Sequence, residues 1–221
     1  MLVRLGSGVV FFCEQGLQGS HLNLSQTSAQ RHFLLNNKAV NSVTSWISGK
    51  RYPMATWARA GSTCEIAGDV LTKTRGGNYN RLATTEETMA AGVHEWEVTL
   101  TAGATANQSL ALYIGVAREN LDVEKGGYSK RGDGWYIRAN DGGLWGGGLE
   151  SADSQGTRAF VIGDRVGVRL DTGDGSLRFF KNGVAFGAGF PAGSIGGPVV
   201  AAAELVCPGQ CITLVRGAAL G

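Results

Sequence analysis

The sequence has few charged residues, few prolines and no long apolar segment. Charged side chains make up 17% of the 221 residues, and proline occurs only 4 times. A proline-rich linker is therefore not indicated, and a hydrophobic share of 43% predicts a chain that folds. The longest uncharged apolar run, residues 198–203, is far shorter than the 18 or so residues that suggest a membrane span. We expect a soluble protein without membrane partners.

Acidic residues are scarce at the front of the chain. Residues 1–60 carry six basic side chains and one acid, which gives +5, within a net charge of only +2 for the whole sequence. The overall charge gives no reason to bind nucleic acid. An acid-poor segment with Arg, Ser and Thr is also typical of a mitochondrial transit peptide. We expect a cytoplasmic protein, with mitochondrial import as the alternative.

Cysteine and histidine are too few and too scattered to indicate a metal site. Of the four cysteines, only Cys207 and Cys211 are close in sequence, and the three histidines lack zinc-finger spacing. We expect reduced, mostly structural thiols, no metal and no cofactor.

No catalytic motif is complete. Residues 127–131 lack the final glycine of a nucleophile elbow, and Asp133 stands where a phosphate-binding loop would need positive charge. Residues 187–192 resemble a dinucleotide-binding fingerprint but contain Pro191. His94 is interpreted as a hydrogen-bonded core residue. We predict that the protein is not an enzyme.

Hydrophobic residues alternate along the second half of the chain. Period-two patterns occupy residues 94–100, 110–117, 134–138, 165–170 and 176–181, and two further strands are predicted at 199–206 and 211–216. Asn182-Gly183 is the preferred two-residue hairpin turn, and 141–148 and 171–175 are further turn clusters. The 35 glycines agree with many tight turns. The pattern predicts an all-β fold, a two-layer antiparallel β-sandwich.

Five segments in this order resemble the SPRY domain family. They are GVHEWEV at 92–98, IGVA at 114–117, GW at 134–135, GDRVGVRLD at 163–171 and GSLRFFKNG at 175–183. The resemblance implies a concanavalin-like jelly roll that serves as a non-catalytic protein-interaction module, as in many scaffold and adaptor proteins. Within these segments Trp96, Trp135, Leu177 and Phe179 are expected in the core.

The resemblance divides the chain into three parts. Residues 1–55 form an N-terminal extension that packs on or precedes the sandwich, 56–216 form the SPRY domain, and 217–221 form a C-terminal tail. The Leu-Asp-Pro signature of the longer version of the family is absent from the sequence. No helical box follows Arg216, so membership of a ubiquitin-ligase pathway is not indicated.

Two segments combine basic and aromatic residues in a way that suggests partner recognition. Residues 73–81 (KTRGGNYNR) and 126–133 (GGYSKRGD) are rich in Arg, Lys and Tyr, and Arg and Tyr often anchor interfaces. By resemblance to peptide-binding SPRY domains, the first segment aligns with the loop before the strand that contains Trp96, and Tyr128 aligns with an aromatic residue that packs on bound peptide. The predicted partner-binding residues are Arg75, Tyr79, Arg81, Tyr128, Lys130, Arg131 and Trp145.

We expect an intracellular protein, monomeric outside its complex, that binds an acidic or polar segment of a protein or peptide. Where family members that bind an Asn-rich acidic peptide carry tryptophan, this chain has Ala202-Ala203-Glu204, so that specificity is not transferred. A solvated rim of charges is the alternative interpretation of the seven residues. Alternative functions are a lectin-like carbohydrate-binding sandwich and a structural subunit of a ribonucleoprotein.

Overall fold

The computed structural model describes residues 2–5, 8–11, 56–76, 81–152 and 159–215. The chain divides into two compact units, Met1–Val43 and Thr44–Gly221. The described part of the first unit is an antiparallel hairpin of β1 (Leu2–Leu5) and β2 (Gly8–Phe11). The rest of the predicted N-terminal extension and the predicted tail at 217–221 lie outside the described residues, and the predicted boundary at residue 55 stays a prediction.

The second unit contains two seven-stranded sheets that pack as a sandwich. Sheet I has the order β11-β10-β9-β8-β15-β6-β3, and sheet II has the order β14-β13-β12-β7-β16-β5-β4. The strands are β3 (Trp57–Ala60), β4 (Cys64–Ala67), β5 (Val70–Lys73), β6 (Arg81–Met89), β7 (Val93–Ala102), β8 (Tyr113–Arg118), β9 (Gly134–Arg138), β10 (Leu144–Gly146), β11 (Leu149–Ala152), β12 (Arg165–Asp171), β13 (Ser176–Lys181), β14 (Val184–Phe190), β15 (Val199–Leu205) and β16 (Cys211–Val215). The predicted all-β sandwich is confirmed.

The core lies between the two sheets and is built from alternating side chains of each strand. Four residues expected there are buried: Trp96 is 4% exposed, Trp135 3%, Leu177 0% and Phe179 2%. Because successive side chains of a strand point to opposite faces, the neighbours of these residues form the outer faces. The outer face of sheet I carries a second, smaller apolar cluster that includes Leu82, Tyr136 and Ala202.

The Asn182-Gly183 hairpin forms as predicted and is tied to the preceding turn. Both residues have positive φ, 52° and 84°, as a type I′ turn requires. Asp164 accepts hydrogen bonds from the Asn182 amide at 2.8 Å and from the Val161 N–H at 2.8 Å, and it pairs with Lys181 at 3.1 Å. Burial raises the pKa of Asp164, but these bonds outweigh it and hold that pKa below its ordinary value.

Two predicted boundaries differ from the structure. The predicted turn cluster at 141–148 contains a strand, Leu144–Gly146, that pairs with β9 and β11. The strand predicted at 110–117 begins at Tyr113, although Leu110 and Leu112 are buried as expected. The glycine-rich sequence gave no sign of the strand Leu144–Gly146. Whether such a short segment forms a strand depends on its pairing with neighbouring strands and not on the local preference of its own residues.

Several polar residues of the sandwich are buried with partners. Glu95 and Glu97, on the outer face of sheet II, are each 2% exposed and pair with Arg169 at 3.6 Å and Arg165 at 3.2 Å. His94 is 2% exposed, and its Nε2 lies 3.0 Å from the Ala91 carbonyl oxygen. The histidine is therefore a hydrogen-bonded core residue, as its position at a strand start predicted.

Cys64, Cys207 and Cys211 carry free thiols, whereas Cys13 lies outside the described residues. Within the described ranges, no helix is long and apolar enough to cross a membrane.

Candidate functional site

The segment between β8 and β9, residues 119–133, crosses the outer face of sheet I, and we call it the covering loop. Its apolar side chains Leu121, Val123 and Tyr128 pack against Leu82 and other members of the outer cluster. The loop also forms backbone hydrogen bonds, from the Leu82 N–H to the Lys125 carbonyl at 3.2 Å and from the Lys125 N–H to the Asp122 carbonyl at 3.0 Å. Loops that carry binding residues are typically held by a rigid scaffold in this way.

A buried carboxylate holds the middle of the covering loop. Glu204, on β15, is 2% exposed and accepts hydrogen bonds from the N–H groups of Gly127 at 2.7 Å and Tyr128 at 3.2 Å. Hydrogen bonds to an ionised acceptor are stronger than neutral ones. Burial, followed by the negative charge of Glu204, raises the pKa of Tyr136 well above its ordinary value, so this neighbour stays a neutral phenol.

Tyr128 lies under the loop and not on its surface. Its side chain is 3% exposed, and its hydroxyl donates a hydrogen bond to the Asp122 carbonyl at 2.6 Å. Burial raises its pKa. The sequence suggested that this ring packs on a bound peptide; the geometry shows it packing inside the protein, with Arg131 5.5 Å from the ring centre. A direct role for Tyr128 in partner binding stays a prediction.

Arg75 and Arg81 lie near the first half of the covering loop, beside the turn that joins β3 to β4. Arg75 donates to the Ser62 carbonyl at 2.6 Å, and Ser62 donates to Glu124 of the loop through its N–H at 2.7 Å and its hydroxyl at 2.8 Å. Arg81 lies 3.6 Å from the same Glu124 carboxylate. Tyr79, predicted to act with these arginines, lies outside the described residues.

Lys130 and Arg131 are exposed at the second half of the loop. They belong to a 3-10 helix, Tyr128–Arg131, that lies between Gly127 and Gly132, both with positive φ. The Gly148 N–H, from the turn after β10, donates to the Ser129 carbonyl at 3.0 Å. The two basic side chains are therefore presented from a backbone that is fixed at both ends.

Trp145 lies on β10, beside this 3-10 helix, and its side chain is half-buried. Its ring meets Tyr113 edge to face, with centroids 5.7 Å apart, and the Arg138 guanidinium lies 4.8 Å from the ring centre. Arg138 pairs with Asp141. Burial raises the pKa of Asp141, but the bonds from Arg138 and from the Gly143 N–H outweigh it and lower that pKa. Trp145 is thus a rigid aromatic residue with one part accessible.

The structure places the six described residues of the predicted set around the covering loop. All six are linked to the covering loop or to strands that it touches, with Arg75 and Arg81 at its first half and Tyr128, Lys130, Arg131 and Trp145 at its second. The sequence analysis missed Glu204, although one acid within the apolar run VVAAAELV is a visible signal of a buried, partnered charge.

The sequence analysis also missed Lys73. It is fully buried on β5 and donates to the Thr63 hydroxyl at 2.7 Å, and burial lowers its pKa. Its position two residues after the core residue Leu71 places both on the same strand face. Across the described ranges, no group of three or more His, Cys, Asp or Glu side chains is placed to hold a metal ion.

Comparison with known proteins agrees with this architecture. The family model described as "SPRY domain" matches residues 93–218. No curated protein matches the chain. Three solved structures are similar: the SPRY domain of human HERC1, with a TM-score of 0.58 and 19% identity over 72% of this chain and 95% of that one; the TRIM65 PSpry domain, with 0.59 and 16% over 80% and 99%; and a human SPRY domain, with 0.51 and 18% over 72% and 98%.

Proposed function

Because this chain belongs to the SPRY domain family, whose members are generally non-catalytic protein-interaction modules, we propose that it recognises a segment of a partner protein through the covering loop and its neighbours. The observation that carries the proposal is the anchoring of that loop. Glu204 fixes its middle, Glu124 and Ser62 fix its first half, and the Gly148 N–H fixes its second half. A fixed loop binds without a large loss of conformational entropy.

The partner segment is acidic or polar in this proposal. Arg75, Lys130 and Arg131 are exposed, and Trp145 offers a partly accessible ring beside the 3-10 helix. Arginine and tryptophan are enriched among the residues that dominate interface energies. Lys130 and Arg131 meet the acidic groups of the partner, and Trp145 packs on its backbone or an apolar side chain. No observation on the described residues favours a carbohydrate or an RNA as the main ligand.

The test is affinity capture with the full chain, two matched single variants and one double variant. Arg131→Ala removes an exposed arginine of the covering loop, whereas Arg178→Ala removes an exposed arginine of β13 in sheet II. The proposal expects at least one captured protein, identified by mass spectrometry, to be reduced about fivefold or more by Arg131→Ala, and further by Lys130→Ala/Arg131→Ala, while Arg178→Ala leaves its capture unchanged.

Unchanged circular dichroism and melting temperature would show that the variants are folded. Equal capture by the parent chain and the Lys130→Ala/Arg131→Ala variant would overturn the assignment of this surface.

A further inference from the structure

A polar groove of about 520 Å³ opens on the outer face of sheet I, where the covering loop begins. It lies at the Val200 end of β15, whereas Glu204, which holds the middle of the loop, lies near the other end of the same strand. Its volume falls within the roughly 300–1,000 Å³ typical of ligand sites. The groove is therefore separate from the basic end of the covering loop.

A bulge in β6 opens this part of the sheet. On β15, Val200 and Ala202 are two residues apart, but their partners on β6, Thr88 and Thr84, are four apart. Extra residues in one strand leave the hydrogen-bond ladder and bend the strand, and such bulges are frequent next to binding sites. Here the bulge places Glu86 at the exposed rim of the groove.

The floor of the groove is formed in part by Thr84, a buried residue whose hydroxyl has no hydrogen-bond partner among the described residues. Thr84 is 3% exposed and lines the groove. Buried polar side chains normally have a protein or water partner. The Thr84 hydroxyl is therefore available to a ligand that reaches the floor.

The charges around Thr84 favour a cation. Glu119 is held in place by the Thr88 hydroxyl at 3.0 Å, and Glu86 makes no ion pair or hydrogen bond with the described residues. Arg59, the basic residue of the lining, directs its guanidinium to the Leu121 carbonyl at 2.7 Å. Two carboxylates and a hydroxyl are acceptors for N–H donors. The described residues contain no group of three or more His, Cys, Asp or Glu side chains placed to hold a metal ion.

From this arrangement we infer that the groove binds a lysine or arginine side chain of a partner protein segment. The N–H groups of that side chain donate to Glu86 and Glu119 at the rim and to the Thr84 hydroxyl at the floor, and its methylene groups lie against Val200. The inference goes beyond the proposed function, since it uses other residues and a ligand charge of opposite sign.

The test is selection of linear peptides from a random displayed library on the full chain. The inference expects selected peptides that share a lysine or arginine. For such a peptide, Glu86→Gln raises Kd by about fivefold, as expected for one accessible ion pair, and Glu86→Gln/Glu119→Gln raises it further. The matched control is Glu65→Gln, which neutralises an exposed glutamate of β4 in sheet II and leaves Kd unchanged.

Replacing a lysine of the peptide by norleucine, or an arginine by citrulline, must raise Kd for the parent chain by the same factor. For the Glu86→Gln/Glu119→Gln variant, the same replacement must leave Kd unchanged. Two outcomes overturn the inference. They are selection of no basic peptide, and equal affinity for the parent chain and the Glu86→Gln/Glu119→Gln variant; in the second case, loss of binding on Lys130→Ala/Arg131→Ala would place the peptide on the other surface. Failure of the capture experiment above, in contrast, leaves this peptide assay unaffected.

Discussion

The covering loop depends on Glu204, a single residue of a strand that is otherwise apolar. A carboxylate buried to this extent is costly unless it is hydrogen-bonded, and here two backbone N–H groups and the neighbouring Tyr136 surround it. Both of these backbone N–H groups belong to the covering loop, so a substitution of Glu204 acts on the loop before it acts on the sandwich.

Glu204→Gln tests this dependence. The amide keeps one acceptor oxygen but turns an NH₂ group toward a backbone N–H, so we expect the free energy of unfolding to fall by about 1–3 kcal/mol. Hydrogen exchange of the Gly127 and Tyr128 amides should accelerate, while exchange within β7 should change only with global stability. Glu65→Gln serves as the control. Unchanged exchange at Gly127 and Tyr128 would contradict the role given to Glu204.

At the residue scale, the sequence predicted which side chains are accessible more successfully in some cases than in others, and whether they bind a partner stays a prediction. Arg75, Lys130 and Arg131 were expected to be accessible, and they are. Tyr128 was expected to face a partner, but its ring is buried and its hydroxyl is bonded to Asp122. Composition marks a segment as unusual, but the direction of a side chain in an irregular loop depends on what lies beneath the loop, and that information is distant in sequence.

At the scale of strands and turns, two glycines illustrate different reasons for the same residue type. Gly183 has a φ of 84° in the hairpin turn, and a Cβ there would meet open space. Gly115 lies on β8 in the middle of sheet I, and a Cβ there would come within 3.0 Å of the Trp135 carbonyl oxygen and the Tyr136 Cα. The first glycine is required by its backbone angle and the second by the close approach of β9.

The two substitutions to alanine should therefore differ in size. Gly183→Ala places a residue with a Cβ in the left-handed backbone region, so we expect the free energy of unfolding to fall by about 1 kcal/mol. Gly115→Ala forces the backbones of β8 and β9 apart and should cost about 3 kcal/mol. Urea denaturation of the full chain measures both. Equal losses, or a larger loss for Gly183→Ala, would show that β9 can move away from β8 at little cost.

The sequence predicted those elements whose signal is local. Alternation located β7, β9, β12 and β13 to within a few residues, and Asn182-Gly183 located a hairpin, because period-two patterns and type I′ turns are properties of neighbouring residues. It did not predict β10, within a glycine-rich segment, or the bulge in β6. Both depend on register against strands far away in the chain, β9 for the first and β15 for the second.

At the scale of the whole molecule, the two proposed sites lie on one face of one sheet and carry opposite charge. The 3-10 helix adjoins β10, and the groove is lined by β6. These strands are four positions apart in sheet I, a separation of roughly 19 Å at the usual spacing between strands. An extended peptide covers this distance in about six residues. Because opposite charges cancel in a net charge of only +2, the composition did not reveal that the two proposed sites differ in the sign of their charge.

A partner segment that uses both sites should therefore carry an acidic residue and a basic residue about six positions apart. A series of synthetic peptides with one glutamate and one lysine, separated by two to ten residues, tests this expectation. We expect the highest affinity near a separation of six, because a shorter peptide cannot reach both sites and a longer one loses more conformational entropy.

Sites this far apart should also act independently, so the losses of binding free energy from Lys130→Ala/Arg131→Ala and from Glu86→Gln/Glu119→Gln should add to within about 0.5 kcal/mol. An affinity that does not vary with separation, or a combined variant that binds no more weakly than either pair alone, would show that the peptide occupies one site.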